Sequence, residues 1–94
     1  MSALRTEVVI PHPTGLHARP AVKLTKLAKS FPAEIRLRKA PDGDWVDAKS
    51  VVKVMGLKFR TGTAIELEAE GEAAARALAE LKALVERDFD EAHA

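Results

Sequence analysis

The sequence predicts an α+β two-layer sandwich in which three helices cover one face of a four-stranded antiparallel sheet, in the order β-α-β-β-α-β-α. Two observations predict it: short runs that alternate apolar and polar residues, typical of strands, and longer runs with apolar residues at helical spacing. With 94 residues, 47% of them hydrophobic, the chain can bury one core. We therefore treat residues 1–94 as a single domain.

A change in the spacing of apolar residues separates the first predicted strand from the first predicted helix. Apolar or small residues alternate with others up to Pro11, which predicts a half-buried strand with Leu4, Thr6, Val8 and Ile10 facing inward. After Gly15 the apolar spacing becomes helical and predicts a helix over about residues 17–30, with Pro20 tolerated in its first turn. Its inner face is predicted to be Ala21, Leu24, Ala28 and Phe31.

The middle of the chain predicts a hairpin and a short helix. Ile35 and Leu37 alternate with charged residues, and residues 41–44 have the turn chemistry to fold this strand back into residues 45–48. Residues 51–55 lie between Ser50, a good N-cap, and Gly56, a good helix stop. A short second helix follows, and its apolar side chains are too many to be buried all at once.

The last third of the chain predicts a strand and a helix. Ile65, Leu67 and Ala69 alternate with glutamates, which places acidic side chains on the uncovered face of the sheet. Beyond Gly71 an amphipathic helix is predicted, with Leu78, Leu81, Leu84 and Val85 on its apolar side and a solvated charged face opposite. Residues 90–94 are expected to fray.

Composition excludes several classes of function. No run approaches the roughly 20 apolar residues of a membrane span, no secretory signal is visible, and there is no cysteine, so we expect a cytoplasmic protein. The net charge of +1 hides 12 Lys/Arg against 5 Asp/Glu in residues 1–60 and 3 against 9 in residues 61–94. Only four aromatic residues are present to stack on bases, so acidic protein surfaces are favoured over nucleic acid as partners. Trp45 and Phe31 are assigned to hairpin or core packing.

The residues that carry chemistry are in the segment GLHARP, residues 15–20. A helix N-terminus attracts anions and disfavours a positive charge, so His17 at such a position stays neutral and nucleophilic and can accept a phosphoryl group. Arg19 can then hold the phosphoryl oxygens without a metal or a bound cofactor. The alternative is that His17 only caps the helix. His12 and His93 lack further ligands at a recognisable spacing, so no metal site is predicted.

These residues resemble a known family. The segment GLHARPA at residues 15–21, together with Ala48-Lys49-Ser50, Gly62-Thr63 and Ala69-Glu70-Gly71, is similar over nearly the whole chain to the HPr phosphocarriers of the phosphoenolpyruvate-dependent sugar phosphotransferase system. The resemblance implies an open-faced β-sandwich, a phosphoryl group accepted on Nδ1 of His17 from phosphorylated Enzyme I, and transfer to the IIA domains of sugar permeases. Arg19 is implied to help hold the phosphate. Thr14, just before the motif, and Ala18 at the helix start are the further candidate phosphate-binding residues, and capping of the helix is the alternative for Thr14.

The resemblance also implies a partner surface and a regulatory site. Partners dock across the first two helices in the family, which implies contacts from Val51, Val52, Lys53 and Met55 and acidic surfaces opposite Arg19, Lys26, Lys29 and Lys49. Ser50 matches a serine that HPr kinase/phosphorylase modifies in many members. Lys53 resembles the branch in which that serine is usually not regulated, so a plain N-cap is the alternative. The turn at residues 39–44 is about two residues longer than in typical members, and we expect it to affect stability rather than transfer.

Three functions are therefore compared. The first is a monomeric phosphoryl carrier without turnover of its own, since no general base, metal site or substrate pocket is visible in the sequence. The second is a regulatory module that acts through Ser50, or a carrier in nitrogen or dihydroxyacetone signalling. The third is a small RNA-binding or ferredoxin-like domain, against which the few aromatic residues argue.

Overall fold

The computed structural model of the chain describes residues 3–11, 18–57, 62–87 and 89. In this part of the chain the elements follow the predicted order. They are β1 (Leu4–Val9), α1 (Ala18–Lys29), β2 (Glu34–Lys39), β3 (Val46–Asp47), α2 (Val51–Gly56), β4 (Ala64–Glu70) and α3 (Ala74–Glu86).

The four strands form one antiparallel sheet in the order β1-β4-β2-β3. The last strand in sequence, β4, lies between β1 and β2, with Thr6 and Leu37 both opposite Leu67. The helices pack on one side of this sheet and the other side is open, so the predicted fold class is confirmed. At one edge of the sheet is β1, and at the opposite edge is β3, with α2 packed beside it.

The core lies between the sheet and the helices, where the predicted periodicities place it. The inner side of β4 is fully buried, as are the apolar stripe of α1 and most of that of α3. The predicted core residues that are buried are Ala21, Leu24, Ala28, Phe31, Ile35, Leu37, Ile65, Leu67, Ala69, Leu78, Leu81, Leu84 and Val85. Burial of this apolar surface is the main source of folding stability.

The open face of the sheet carries a network of ion pairs across three strands. Glu68 is 3.0 Å from Arg5 of β1 and 2.7 Å from Arg36 of β2, and Glu66 accepts a hydrogen bond of 2.7 Å from Nε of Arg38. The glutamates come from β4 and the arginines from its two neighbours, which is the cross-strand pairing that stabilises a sheet face. The predicted charged face is thus arranged as an alternating ladder of acid and base.

Two details differ from the sequence-based expectations, and a third decides between two alternatives. Leu4 is 45% exposed, although its alternation predicts an inward position, because β1 is an edge strand. Of the two assignments open for Trp45, hairpin or core packing, the structure shows the first: its ring lies over the open face, 4.4 Å from the Arg38 guanidinium of β2 and 5.2 Å from that of Arg5. The returning strand of the hairpin is reduced to β3, because Lys49 N donates to Oδ1 of Asp47 and turns the chain toward α2.

The end of the chain contributes a core residue that the sequence analysis did not assign. Phe89 is fully buried, and its carbonyl oxygen accepts a hydrogen bond of 2.9 Å from Nζ of Lys23. The ammonium group of Lys23 thus joins α1 to the segment after α3. The signal for Phe89 is its position four residues after Val85, which continues the apolar spacing of α3 although the helix itself ends at Glu86.

Candidate functional site

The candidate site is the surface formed by α1 and α2, which pack against each other. The helix α1 begins at Ala18, close to the predicted start, and Pro20 is buried in its first turn. Arg19 lies in the same turn and is exposed. His17 and Thr14 fall outside the described residues, so their assigned roles stay predictions that rest on the sequence.

The outer side of α1 carries an apolar residue between cations. Val22 is 51% exposed, while Lys26 and Lys29 follow at spacings of four and three residues, which places all three on one side of the helix. Sequence analysis did not single out Val22. The sequence does indicate that Val22 is exposed, because it lies off the buried stripe of Ala21, Leu24 and Ala28 and on the same side of the helix as the lysines.

Ser50 caps the start of α2, as its residue type predicts. Its backbone is extended, with φ −107° and ψ 108°, and its Oγ accepts a hydrogen bond of 3.3 Å from the backbone N–H of Lys53. The side chain therefore satisfies one of the N–H groups that a helix start leaves free. This contact stabilises the six-residue helix that carries the predicted partner-binding residues.

The apolar residues of α2 divide between the core and the surface. Val54 is fully buried, Val51 is partly buried, and Val52 and Met55 are 76% and 39% exposed. The expectation that one or two of them are exposed is confirmed. Since Val52 and Met55 are three residues apart, they lie on the same side of the helix, with the exposed Lys53 beside them.

A groove of about 240 Å³ runs between the two helices, lined by Val22, Thr25, Lys26, Lys29 and Val51. Thr25 is 4% exposed, and its Oγ1 has no hydrogen-bond partner within the described part of the chain. We name the surface made of this groove with Val52, Lys53 and Met55 the α1–α2 face. It combines apolar side chains with a cationic rim, the composition of a docking surface for an acidic partner.

Lys49 does not contribute a free cation to this face. Its Nζ donates a hydrogen bond of 2.8 Å to the carbonyl oxygen of Phe31, which follows α1. The ammonium group therefore ties the end of α1 to the start of α2 instead of pointing at a partner. The sequence analysis grouped Lys49 with the partner-facing lysines. Residue spacing could not show that a carbonyl group from a distant segment accepts the hydrogen bond of its ammonium group.

Two features are absent from the described residues. No group of three or more His, Cys, Asp or Glu side chains lies close enough to hold a metal ion in residues 3–11, 18–57, 62–87 and 89. Over the same ranges, no helix has the length and apolarity needed to cross a membrane.

An open-faced sandwich with an apolar and basic face beside the start of its first helix is the architecture of a small phosphoryl-carrier domain. Comparison with known proteins supports this class. The family profile described as "PTS HPr component phosphorylation site" matches residues 4–87, and the chain belongs to this family of phosphocarriers of the phosphotransferase system.

Individual relatives agree with this assignment. The phosphocarrier protein NPr of Escherichia coli K12 is 40% identical over 88 residues, which cover 94% of this chain and 97% of the relative. The phosphocarrier protein HPr of Pseudomonas aeruginosa is 39% identical over 85 residues, 90% of this chain and 93% of the relative. The crystal structure of HPr-C-His from Thermoanaerobacter tengcongensis superposes with a TM-score of 0.87 at 33% identity, covering 96% of this chain and 99% of that one.

Proposed function

We propose that this chain carries a phosphoryl group on His17, accepts it from phosphorylated Enzyme I and passes it to the IIA domains of sugar permeases. The observation that carries the proposal is the start of α1 at Ala18, directly after His17, in a chain of the HPr family. The first N–H groups of a helix have no partner inside the helix and attract anions. A phosphoryl group on His17 would lie beside such donors.

The proposed chemistry needs only side chains and backbone of this segment. A neutral imidazole Nδ1 of His17 attacks phosphorus, the N–P bond forms, and the bond between phosphorus and the donor breaks. We propose that Arg19, an exposed residue in the first turn of α1, shares the charge of the phosphoryl oxygens. The backbone N–H of Ala18 and the hydroxyl of Thr14 are the further proposed donors. The N–P bond stays labile, which suits a carrier without turnover of its own.

The α1–α2 face is the proposed contact surface for both kinds of partner. Enzyme I and the IIA domains must reach the same His17 in turn, so one surface has to accept both. The lysines Lys26, Lys29 and Lys53 are exposed and would meet acidic residues of the partner, while Val22 and Val52 supply apolar contact. We propose that a single copy of the chain docks in each transfer, in the cytoplasm.

The proposal is tested by intact-protein mass spectrometry after incubation with phosphoenolpyruvate and a generic Enzyme I. Wild type is compared with His17→Ala and with Ser50→Ala. We expect an acid-labile gain of one phosphoryl group in wild type and Ser50→Ala but not in His17→Ala. No gain in wild type, with Enzyme I shown to be active on another carrier, would refute the proposal.

A second candidate function rests on Ser50. Its Oγ lies at the start of α2, within three residues of the exposed Val52 and Lys53. We propose that an HPr kinase/phosphorylase, where one is present, places a phosphate there; the helix start tolerates the negative charge, and the charge repels an acidic partner from the α1–α2 face. Incubation with such a kinase and ATP tests this: an acid-stable phosphoryl group in wild type but not in Ser50→Ala supports it, and its absence refutes it.

The proposal also names the protein that accepts the phosphoryl group from this chain. Relatives named NPr and relatives named HPr match this chain about equally, at 40% and 39% identity, so identity does not rank the acceptors. We place IIA domains of sugar permeases first because the matching family profile is that of the PTS HPr component, and acceptors in nitrogen or dihydroxyacetone signalling second. The phosphorylated chain is mixed with one acceptor of each kind. Loss of the phosphoryl group to the sugar acceptor at the higher rate supports the first choice, and a preference for either of the others overturns it.

A further inference from the structure

The exposed apolar residues of the described chain fall on two surfaces, and the second of them has no role in phosphoryl transfer. Val22, Val52 and Met55 belong to the α1–α2 face, whereas Leu4 and Val9, which are 45% and 50% exposed, lie at the two ends of β1. β1 is the edge of the sheet, and no strand of the described residues pairs with its outer side. A free edge strand offers unpaired N–H and C=O groups to another chain.

The hydrogen bonds of Ile10 show which residues offer those groups. Ile10 N donates to the carbonyl oxygen of Thr63 at 2.9 Å, and its own carbonyl oxygen accepts from Gly62 N at 2.8 Å. Its backbone groups therefore point toward β4. Because these directions alternate along a strand, the even-numbered residues of β1 face β4, and Arg5, Glu7 and Val9 present their N–H and C=O groups to the free edge.

The side chains along this edge are charged on one face of the sheet and apolar on the other. Arg5 and Glu7 lie on the open face, where Glu7 is opposite Glu66 of β4. Glu66 already accepts the hydrogen bond of Arg38, and Glu7 has no ion pair within the described ranges. Leu4 lies on the helix side of the strand, together with the buried Val8. The free edge of β1 therefore has one contact between like charges, Glu7 with Glu66, and one exposed apolar side chain, Leu4.

We infer that the free edge of β1 pairs with the same edge of a second copy of this chain, antiparallel and with Thr6 on the two-fold axis. In this register Arg5 of one copy is opposite Glu7 of the other, so Glu7 would share the guanidinium that Glu68 of that copy binds at 3.0 Å. On the helix side, Leu4 is opposite Val8 of the second copy. The two copies are therefore complementary on both faces of the sheet, with opposite charges paired on the open face and apolar side chains paired on the helix side.

The hydrogen-bond pattern and the charges together select this one register. A shift by one residue places outward-facing backbone groups of one copy against inward-facing groups of the other and exchanges the two faces of the strand. A shift by two residues keeps the hydrogen bonds but places Arg5 against Arg5 of the second copy, or Glu7 against Glu7. Like charges directly opposite each other are destabilising. Among registers shifted by up to two residues, only the one centred on Thr6 avoids both faults, and a shift by four residues no longer places Arg5 opposite Glu7.

A groove of about 500 Å³ beside β1 has the position to receive the incoming leucine. It is lined by Glu7, Val8, Val9 and Pro11 on one side and by Lys82 and Glu86 of α3 on the other. Leu4 of the second copy, opposite Val8, would lie at this groove and lose its exposure. The area is small, so we expect a weak and reversible dimer in exchange with the monomer.

Pairing at β1 leaves phosphoryl transfer unobstructed. The sheet order places β1 at the edge opposite β3, and α2 packs beside β3 and α1. The α1–α2 face of each copy therefore stays accessible in the pair. The inference does not rest on the proposed function, and its test uses no phosphorylation readout.

The first test measures association by sedimentation velocity from micromolar to millimolar concentration. Wild type is expected to show a concentration-dependent dimer, and Glu7→Lys is expected to weaken its association constant about tenfold or more, because a lysine would face Arg5 of the second copy. In the monomer the same lysine faces Glu66, so the fold is not weakened. The matched control is Glu34→Lys, an exposed glutamate of β2 that is opposite Glu70, and it should leave association unchanged.

The second test reads the register directly. Residue 6 is the position that opposes itself, in a pair whose Cα atoms are about 4.5 Å apart, within the reach of a disulfide. The chain has no cysteine, so Thr6→Cys treated with oxidised glutathione should give a covalent dimer through that contact alone. In Leu4→Cys the two thiols would be separated by four residue steps, about 13 Å, and no dimer should form.

A monomer at millimolar concentration, with no disulfide in Thr6→Cys, would overturn the inference. So would a dimer that forms equally well in Glu7→Lys, since such a dimer would use another surface or another register. A covalent dimer in Thr6→Cys but not in Leu4→Cys, together with the loss of association in Glu7→Lys, establishes the pairing.

Discussion

Substitution of Glu68 by glutamine isolates the contribution of the open-face ion pairs to the stability of the sheet. Glu68 is the centre of the ladder: its Oε2 accepts a hydrogen bond from Arg5 at 3.0 Å, its Oε1 is 2.7 Å from Nη2 of Arg36, and its side chain is 12% exposed. In Glu68→Gln the amide oxygen can accept one of these hydrogen bonds, while the amide NH₂ faces the other guanidinium and repels it.

The expected loss of stability follows from the number of these contacts and from the solvent exposure of their side chains. Each hydrogen bond to a charged group contributes about 1.5–3 kcal/mol when it is shielded from solvent. Arg5 and Arg36 are 49% and 41% exposed, so both can regain water in the variant. We therefore expect Glu68→Gln to lower the free energy of unfolding by about 2 kcal/mol, or the Tm by about 10 °C for a chain of this length.

The matched control is Glu80→Gln on α3. Glu80 pairs with Arg76 at 2.9 Å in an i,i+4 arrangement, with the two side chains 42% and 75% exposed, and such pairs contribute about 0.3–0.5 kcal/mol. Thermal unfolding is followed by far-ultraviolet circular dichroism, because Trp45 stacks on Arg38 and its fluorescence would report the network rather than the fold.

Repeating both measurements in about 1 M NaCl, where the Debye length falls to about 3 Å, separates the two sites. The effect of Glu80→Gln should disappear, and most of the effect of Glu68→Gln should remain. Equal losses for the two variants, or a Glu68→Gln effect that high salt abolishes, would refute the reasoning that partial burial strengthens this ladder.

The remaining predictions concern the α1–α2 face and two helix starts. Val52→Glu, at a 76% exposed position, should leave the Tm within about 3 °C and raise the KM for phosphorylated Enzyme I about tenfold, whereas Ala75→Glu, an exposed site on α3, should change neither. Ser50→Ala removes the N-cap of α2 and should cost about 0.5–1 kcal/mol in urea unfolding, and Ser50→Asp, an equally good cap, should retain that stability. Ala73 precedes α3 with φ 65°, so Ala73→Gly should raise the stability by about 1 kcal/mol, and a lower Tm would contradict the strain assigned to it.

The sequence predicts most of the fold because its periodicities agree with the burial of the side chains. The alternation in β4 and the helical spacing in α1 and α3 each report a single buried face, and the short loops leave little choice of topology. The exposure of Leu4 could not be predicted in this way. Alternation shows which side of a strand a residue is on, but not whether its strand lies at the edge of the sheet.

Part of the geometry of the candidate site was predicted, while the chemical roles of His17 and Arg19 stay predictions. The cap at Ser50 and the exposure of Val52 and Met55 follow from residue type and from the limited space under a six-residue helix. Long side chains are harder to predict, because their partners come from distant segments. Lys49 bonds to the carbonyl of Phe31, and Lys23 to that of Phe89, and neither contact has a sequence signal.

The hydrogen bond from Lys49 to Phe31 affects how strongly a partner can bind to the α1–α2 face. Because it ties the segment after α1 to the segment before α2, the two helices that form the α1–α2 face are held in one relative position before any partner arrives. The conformational entropy of aligning them is lost during folding and not again at each encounter, so more of the contact energy remains for binding. A carrier that must meet one partner after another gains from a surface that needs no rearrangement between them.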